Sequence, residues 1–288
     1  MNLSGQQWVT TAAGVSMPGI IYGTAWKKER TAELVVQAVQ TGFRGIDTAG
    51  QPKHYDEALV GEGLQTLSRQ GITREALYLQ TKYTPFSSQD PDLLPYDKTA
   101  PLAVQVAQSF AQSQKNLHTD YVDGLILHSP LASHEQTMEA WTAMEAIHDA
   151  GGACLLGISN CYDFGVMQAL YTDARVKPVL VQNRFYKDTG YEVELRRWCV
   201  EQGVIFQSFW SLTGNKQILA NITLHAMAER YHKTPAQIFF RYLSQVGIVP
   251  LTGTSSVQHM RDDLEIFEFT LAAEDIKQVE LLLESSPE

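Results

Sequence analysis

The amino-acid sequence predicts an α/β fold, a parallel (β/α)8 barrel built from residues 1–288. Short apolar runs alternate with amphipathic helical patterns, and most of these runs are apolar throughout, as strands buried on both faces are. A doubly wound sheet is the competing fold, but it usually carries a glycine-rich phosphate turn, and the sequence contains neither GxGxxG nor a P-loop. No repeat or shift in composition divides the chain, so we expect a single domain.

Strands are predicted wherever an apolar run is bounded by polar or turn residues. The first two form an N-terminal hairpin, Trp8–Thr11 and Val15–Ile21, with a turn at Ala13 and Gly14. The eight strands of the barrel are predicted at Ile20–Tyr22, Phe43–Ile46, Leu77–Gln80, Val122–Leu127, Ala153–Ile158, Val179–Val181, Val204–Ser208 and Gly247–Val249.

The helical patterns between the strands have their own start and stop signals. Ser133 with Gln136 predicts a helix start, and Gly151 with Gly152 predicts its end. Thr234–Gln237 predicts a capping box with a proline at the first helical position. The polar segment 85–100 has three prolines and no periodicity, which predicts a loop over one mouth of the barrel.

Composition and charge exclude several classes of partner. A formal net charge of −10 argues against nucleic acid and anionic membrane surfaces, since both need a basic face. The three cysteines, Cys154, Cys161 and Cys199, lack metal-ligand spacing and are too few for a disulfide framework, so reduced thiols and no metal are expected. Without a leader-like or membrane-length apolar run, the expected location is the cytoplasm.

Four chemically active side chains follow three successive predicted strands. Asp47 and Tyr55 lie in the polar loop after the second barrel strand, Lys82 ends the third, and His128 ends the fourth. Active sites of such barrels form at these strand ends, so the four side chains can meet. A lysine ammonium lowers a tyrosine pKa, and a carboxylate holds that lysine charged. The set predicts a phenol that protonates an oxygen gaining negative charge, as carbonyl reduction by hydride requires.

Each of these residues also has an ordinary structural interpretation. Lys82 alone would fit a surface position, His128 a hydrogen-bonded core histidine, and Asp47 a cap for the segment that follows. Their joint placement at neighbouring strand ends is what favours chemistry.

Several motifs in this order resemble the aldo-keto reductases. They are GFRGIDTA followed by a tyrosine and VG, then TKY, DYVDGLILHSP, GISN and VQN. The resemblance extends from the N-terminal hairpin to Leu264. It implies a barrel plugged at its base by the hairpin, and a nicotinamide cofactor that lies extended across the C-terminal mouth without a Rossmann fold.

The resemblance also implies roles for individual residues. Asp47, Tyr55, Lys82 and His128 match the catalytic four. Ser159, Asn160 and Gln182 match the residues that hold the carboxamide, and Phe209 falls where the family stacks a tyrosine under the nicotinamide. The implied cofactor site comprises Gly23, Thr24, Ala25, Asp47, Ser159, Asn160, Gln182, Phe209, Trp210, Leu212, Thr252, Gly253, Thr254, Ser255, His259 and Asp263. The implied substrate site comprises Trp26, Tyr55, His128 and Trp210.

The sequence departs from the family pattern at the catalytic loop and at the adenosine site. The insertion GQPKH lengthens the Asp47–Tyr55 gap by three residues and makes His54 a rival to Tyr55. Tyr55 is preferred because its distance to Val60 and Gly61 fits the family. Residues 251–264 carry fewer basic side chains than is usual in the family. We therefore expect a preference for NADP(H) over NAD(H) that is smaller than usual, with NAD(H) possible.

The expected function is NADPH-dependent reduction of aldehydes or ketones to alcohols by a monomer. The aromatic rim of Trp26 and Trp210, with the short segment after a helix predicted at Ala273–Leu283, predicts an open apolar pocket. The alternative is a nicotinamide-binding regulatory barrel with vestigial reductase activity that acts through protein partners. A phosphate-binding isomerase barrel is a third possibility, supported only by Gly214 after the seventh strand.

Overall fold

The computed structural model describes residues 7–11 and 13–284, and the other positions of the predicted domain lie outside them. The strands are β1 (Trp8–Thr10), β2 (Ser16–Pro18), β3 (Ile21–Gly23), β4 (Gly45–Asp47), β5 (Tyr78–Tyr83), β6 (Val122–Leu127), β7 (Ala153–Ser159), β8 (Leu180–Arg184), β9 (Ile205–Phe209) and β10 (Ile248–Thr252). Eight of them are parallel and close into a barrel in the order β10-β3-β4-β5-β6-β7-β8-β9, so the predicted TIM-barrel fold is confirmed.

Helices cover the outside of the barrel. Within the described residues they are α1 (Thr31–Thr41), α2 (Glu57–Arg69), α3 (Leu102–Leu117), α4 (His134–Asp149), α5 (Phe164–Asp173), α6 (Val193–Gln202), α7 (Lys216–Leu219), α8 (Ile222–Tyr231), α9 (Pro235–Gln245), α10 (Val257–Leu264) and α11 (Ala273–Glu284). No helix in this part of the chain combines the length and the apolarity that crossing a membrane requires.

The predicted helix boundaries follow from backbone capping. The Ser133 side chain accepts from the Gln136 backbone at the start of α4, and Thr234 with Gln237 forms the complete capping box of α9. Gly42 ends α1 with φ 136°, a conformation that a residue with a Cβ adopts only with strain. These local signals therefore fix where the chain turns from helix toward the next strand.

The N-terminal hairpin forms as predicted and lies across the N-terminal end of the barrel. β1 and β2 pair antiparallel, and Met17 of β2 packs with Tyr78, Leu180 and Ile205 at the bottom of the barrel. The second strand ends at Pro18 instead of reaching Ile21 as predicted. Proline has no N–H to continue a strand ladder, and the chain bends there before entering β3.

Several barrel strands extend beyond their apolar runs. Lys82 was predicted to end a strand and Asp47 to lie in a loop, but Lys82 pairs with Ile126 inside β5, and Asp47 pairs with Gln80 as the last residue of β4. Similarly, β8 continues through Gln182 to Arg184. The backbone ladder does not require apolar side chains, so polar residues at the top of the barrel remain part of the rigid sheet.

Candidate active site

A cavity of about 870 Å³ opens at the C-terminal ends of the barrel strands. Most of the residues that the sequence predicts for the site line it: Gly23, Ala25, Trp26, Asp47, Tyr55, His128, Ser159, Asn160, Gln182, Phe209, Trp210, Leu212, Thr252, Gly253, Thr254, His259 and Asp263. Three predicted residues do not line it. Thr24 is buried and donates to the Asp47 carbonyl, Lys82 lies behind Asp47, and Ser255 is exposed on the loop after β10.

Asp47 and Lys82 form a buried ion pair in the wall of the barrel. Lys82 Nζ donates to Asp47 Oδ1 at 2.6 Å and to the Thr48 carbonyl at 2.8 Å. Burial lowers the pKa of Lys82, and the nearby Asp47 carboxylate opposes that effect. The pair is almost inaccessible to solvent, so the lysine charge is held by Asp47 and not by water.

Three buried glutamines extend the hydrogen bonds of Asp47 into a network. The Gln80 and Gln182 side-chain nitrogens donate to Asp47 Oδ1 at 2.7 and 2.9 Å, and both also donate to Gln207 Oε1. These bonds set the orientation of the Gln182 amide, because its nitrogen must face Asp47 and Gln207. Its Oε1 faces the other way and has no partner among the described residues.

Tyr55 adjoins both the ion pair and His128. Lys82 Nζ lies 5.2 Å from the centroid of the Tyr55 ring, and the Tyr55 and His128 rings meet edge to face with centroids 6.1 Å apart. Burial, followed by the charge of Asp47, raises the pKa of Tyr55 well above its usual value. The sequence-based expectation of a lowered pKa does not hold in the cofactor-free protein, because burial of the ring raises the pKa and the Asp47 carboxylate adds to that rise. At neutral pH the phenol holds its proton.

His128 is a neutral imidazole at the end of β6. Burial lowers its pKa well below the usual value, and the charges of Lys82 and His54 act in the same direction. Its Nδ1 lies 2.7 Å from Thr84 Oγ1. A hydroxyl that donates to Nδ1 leaves the ring proton on Nε2, so His128 can offer a second hydrogen-bond donor.

Three residues around the cavity have strained backbone conformations. Trp26, Asn160 and Trp210 have φ values of 62°, 51° and 61° in the left-handed region that side chains with a Cβ seldom adopt. Each follows the C-terminal end of a barrel strand. Such strain concentrates at functional sites, where the surrounding structure fixes it.

At the far end of the cavity, the loop after β10 meets Lys27. Lys27 Nζ donates to the Gly253 carbonyl, and Tyr22 Oη donates to the Thr254 carbonyl at 2.9 Å. Burial lowers the pKa of Lys27. Lys27 was not among the predicted site residues, because basic contacts were expected only within residues 251–264. The signal available was its position directly after the predicted site residues Gly23 to Trp26.

Asp263 faces the same end of the cavity from α10. It accepts a hydrogen bond from Thr252 Oγ1 at 2.7 Å and is 4% exposed. Burial raises its pKa to about 6, partly opposed by the Thr252 hydrogen bond. An acid therefore lines this end of the cavity, and Arg261 does not.

The sequence profile of the Aldo/keto reductase family matches residues 13–284, nearly the whole chain. The protein belongs to the aldo/keto reductase family. This aldo/keto reductase is 30% identical over 285 residues to the uncharacterized oxidoreductase YtbE of Bacillus subtilis, a match that covers 97% of this chain and 94% of that protein. It is 29% identical over 310 residues to an NADPH-dependent alpha-keto amide reductase of Saccharomyces cerevisiae, covering 98% and 93%. An aldo/keto reductase structure from Brucella melitensis superposes with a TM-score of 0.81 at 26% identity, covering 96% and 99%.

The family predicted from the sequence is thus confirmed. Membership makes this aldo/keto reductase an NAD(P)H-dependent oxidoreductase that acts on carbonyl groups.

Proposed function

We propose that this aldo/keto reductase reduces aldehydes or ketones to alcohols with NADPH, and that Tyr55 donates the proton. The observation that carries the proposal is the position of the Tyr55 phenol. It borders the cavity, adjoins the Asp47–Lys82 pair and lies beside the His128 ring. A protonated phenol next to a neutral imidazole is suited to an oxygen on which negative charge develops.

The residues at the strand ends fit a nicotinamide ring. Gln182 Oε1 is an unused acceptor for a carboxamide N–H. The Ser159 hydroxyl gives its proton to the Gln182 carbonyl at 2.6 Å and accepts from Asn160 Nδ2 at 3.2 Å, which leaves its oxygen one further lone pair. Phe209 lines the cavity nearby and offers an aromatic face for stacking. When bound there, NADPH supplies the hydride that adds to the carbonyl carbon.

The far end of the cavity fits a phosphorylated adenosine. Lys27 supplies a cation beside the loop Thr252–Ser256, whose small residues leave backbone N–H groups accessible to phosphate oxygens. The yeast relative described above is NADPH-dependent, which supports the same choice. The Asp263 carboxylate would repel the additional phosphate on the adenosine of NADP(H). We therefore propose that NADP(H) binds more tightly than NAD(H), but by a reduced margin.

The proton transfer is assigned to this chain's own groups. Tyr55 Oη gives its proton to the carbonyl oxygen while His128 Nε2–H donates a hydrogen bond to the same oxygen. Lys82 is the cation nearest to the phenolate that remains, and Asp47 orients Lys82 toward it. Donors of this kind, aimed at a developing oxyanion, each contribute roughly 3–4 kcal/mol to lowering a barrier.

The test is the loss of NADPH absorbance when the protein is mixed with a reactive aromatic aldehyde such as 4-nitrobenzaldehyde. We expect steady oxidation of NADPH with one alcohol formed per cofactor consumed. A protein that binds NADPH but oxidises it with no member of a broad aldehyde and ketone panel would refute the proposal and favour the regulatory alternative.

A further inference from the structure

The inserted loop before Tyr55 adds two polar side chains to the cavity wall. Gln51 and His54 both line the cavity, together with Trp26 and Ser88. Neither side chain has a role in the proton transfer described above. Their hydrogen bonds nevertheless form an ordered chain that determines which face His54 shows to a substrate.

The hydrogen bonds of Gln51 fix the tautomer of His54. The Ser88 carbonyl, which can only accept, lies 2.6 Å from Gln51 Nε2, so the amide nitrogen must face Ser88. Gln51 Oε1 then faces His54 Nδ1 at 2.8 Å and can only accept. Nδ1 therefore carries the proton. A neutral imidazole has one ring proton, so Nε2 of His54 is a bare acceptor.

Two further observations fix the charge and the position of the ring. Burial, with a contribution from Lys53, lowers the pKa of His54, which keeps the imidazole neutral near pH 7. The Trp26 ring packs against the His54 ring with centroids 4.1 Å apart, and the backbone N–H of Trp26 donates to the backbone carbonyl of His54 at 2.7 Å. Among the described residues, Nε2 has no hydrogen-bond partner.

His54 thus adds an acceptor beside Tyr55 and His128, the two groups proposed to donate to the carbonyl oxygen. Tyr55 follows His54 directly in the chain and meets the His128 ring edge to face, and all three residues line the cavity. With a carbonyl oxygen bound to Tyr55 and His128, an acceptor at His54 can only be satisfied by a neighbouring O–H or N–H. A carboxylate there would be repelled by the lone pair.

We propose that His54 Nε2 selects carbonyl substrates that carry a hydrogen-bond donor on the adjacent carbon, such as α-hydroxy ketones and α-hydroxy aldehydes. This inference rests on the proposed function and names a substrate class for it. A site built to bond a substrate hydroxyl discriminates against an analogue without it, because the half-buried acceptor is then left unpaired.

The experiment compares hydroxyacetone with methoxyacetone. Methoxyacetone has an oxygen at the same position, but that oxygen is an ether and carries no donor proton. We measure kcat/KM for both ketones with NADPH in the wild type and in His54→Phe, His54→Gln and Lys53→Ala. The Phe variant keeps a ring against Trp26 and removes the acceptor, the Gln variant restores an acceptor, and Lys53 is an exposed neighbour outside the cavity.

We expect the hydroxy/methoxy ratio of kcat/KM to fall about tenfold in His54→Phe, the scale of one hydrogen bond. It should recover in part in His54→Gln and stay at the wild-type value in Lys53→Ala. Turnover of methoxyacetone by His54→Phe shows that the site is intact, and His54→Leu replaces that variant if it does not fold.

If the hydroxy/methoxy ratio in the acceptor-free variant, His54→Phe or His54→Leu in its place, equals that of the wild type, the inference is overturned and the proposed reductase activity still stands. If the wild type reduces neither of these ketones nor any other carbonyl compound, both proposals fall.

Discussion

Lys82 Nζ lies 2.6 Å from Asp47 Oδ1, and the two side chains are enclosed in the barrel wall next to the Tyr55 ring. Because each charge neutralises the other, the phenol lies beside a nearly neutral pair before any reaction begins. The balance changes when Tyr55 gives up its proton, since the ammonium is then the nearest cation to the phenolate. The pair thus supports proton donation without ionising the donor beforehand.

This pairing predicts a large loss of stability when one partner is removed. We expect Lys82→Met to lower the free energy of unfolding by about 3–5 kcal/mol, because a buried carboxylate is left without its counter-charge. Urea unfolding of the cofactor-free protein measures this. The matched control is the double variant Lys82→Met with Asp47→Asn, which should recover most of the loss. A loss below about 1 kcal/mol, the scale of an exposed pair, would contradict the buried ion pair.

A second prediction concerns Lys27. We expect Lys27→Met to weaken NADPH binding by roughly ten- to a hundredfold, the scale of a charge-assisted hydrogen bond to phosphate. Dissociation constants for NADPH and NADH, followed by quenching of tryptophan fluorescence, measure it. Lys28→Met is the control, because Lys28 is exposed and, unlike Lys27, its side chain makes no hydrogen bond to the loop after β10 within the described residues. Unchanged affinity for both cofactors would remove Lys27 from the cofactor site.

The buried carboxylate of Asp263 predicts a pH-dependent cost to stability. Burial raises its pKa to about 6, above the ordinary value of 3.8, so the folded protein binds this proton more tightly than the unfolded chain. The cost is absent below about pH 3, where the carboxyl is protonated in both states, and complete above about pH 7. At roughly 1.4 kcal/mol per pKa unit, Asp263→Asn should add about 3 kcal/mol to the free energy of unfolding at pH 8.

The same variant should show almost no gain at about pH 3, where the carboxyl is largely protonated in both the folded and the unfolded state. Urea unfolding at the two pH values, without cofactor, tests the sign as well as the size. A variant that is less stable than the wild type at pH 8 would show that the Asp263 charge is favourably paired.

The sequence predicted the barrel because strands buried on both faces leave continuous apolar runs. It placed strand ends too early where polar side chains point into the top of the barrel. Lys82 and Gln182 interrupt the apolar pattern, yet their backbones continue the ladder. Apolar content reports burial, whereas strand length also depends on backbone pairing, which no single side chain reveals.

The sequence was a better guide to which residues come together in the candidate site than to the pKa shifts of those residues. The order of Asp47, Tyr55, Lys82 and His128 along successive strands was enough to bring them together. The direction of the Tyr55 pKa was not predictable, because it depends on how completely Asp47 balances the lysine and on burial of the ring. The contact of Lys27 with Gly253 spans 226 positions, a separation that neighbourhood in sequence cannot show.

The most direct test of the account is the rate of carbonyl reduction by Tyr55→Phe. We expect NADPH to bind with unchanged affinity while kcat falls at least about a hundredfold, since the ring remains and only the proton donor is lost. His54→Ala, measured in parallel with methoxyacetone, should retain most of the wild-type kcat. A Tyr55→Phe variant that reduces methoxyacetone at nearly the wild-type rate, with His54→Ala inactive, would contradict the assignment and make His54 the proton donor.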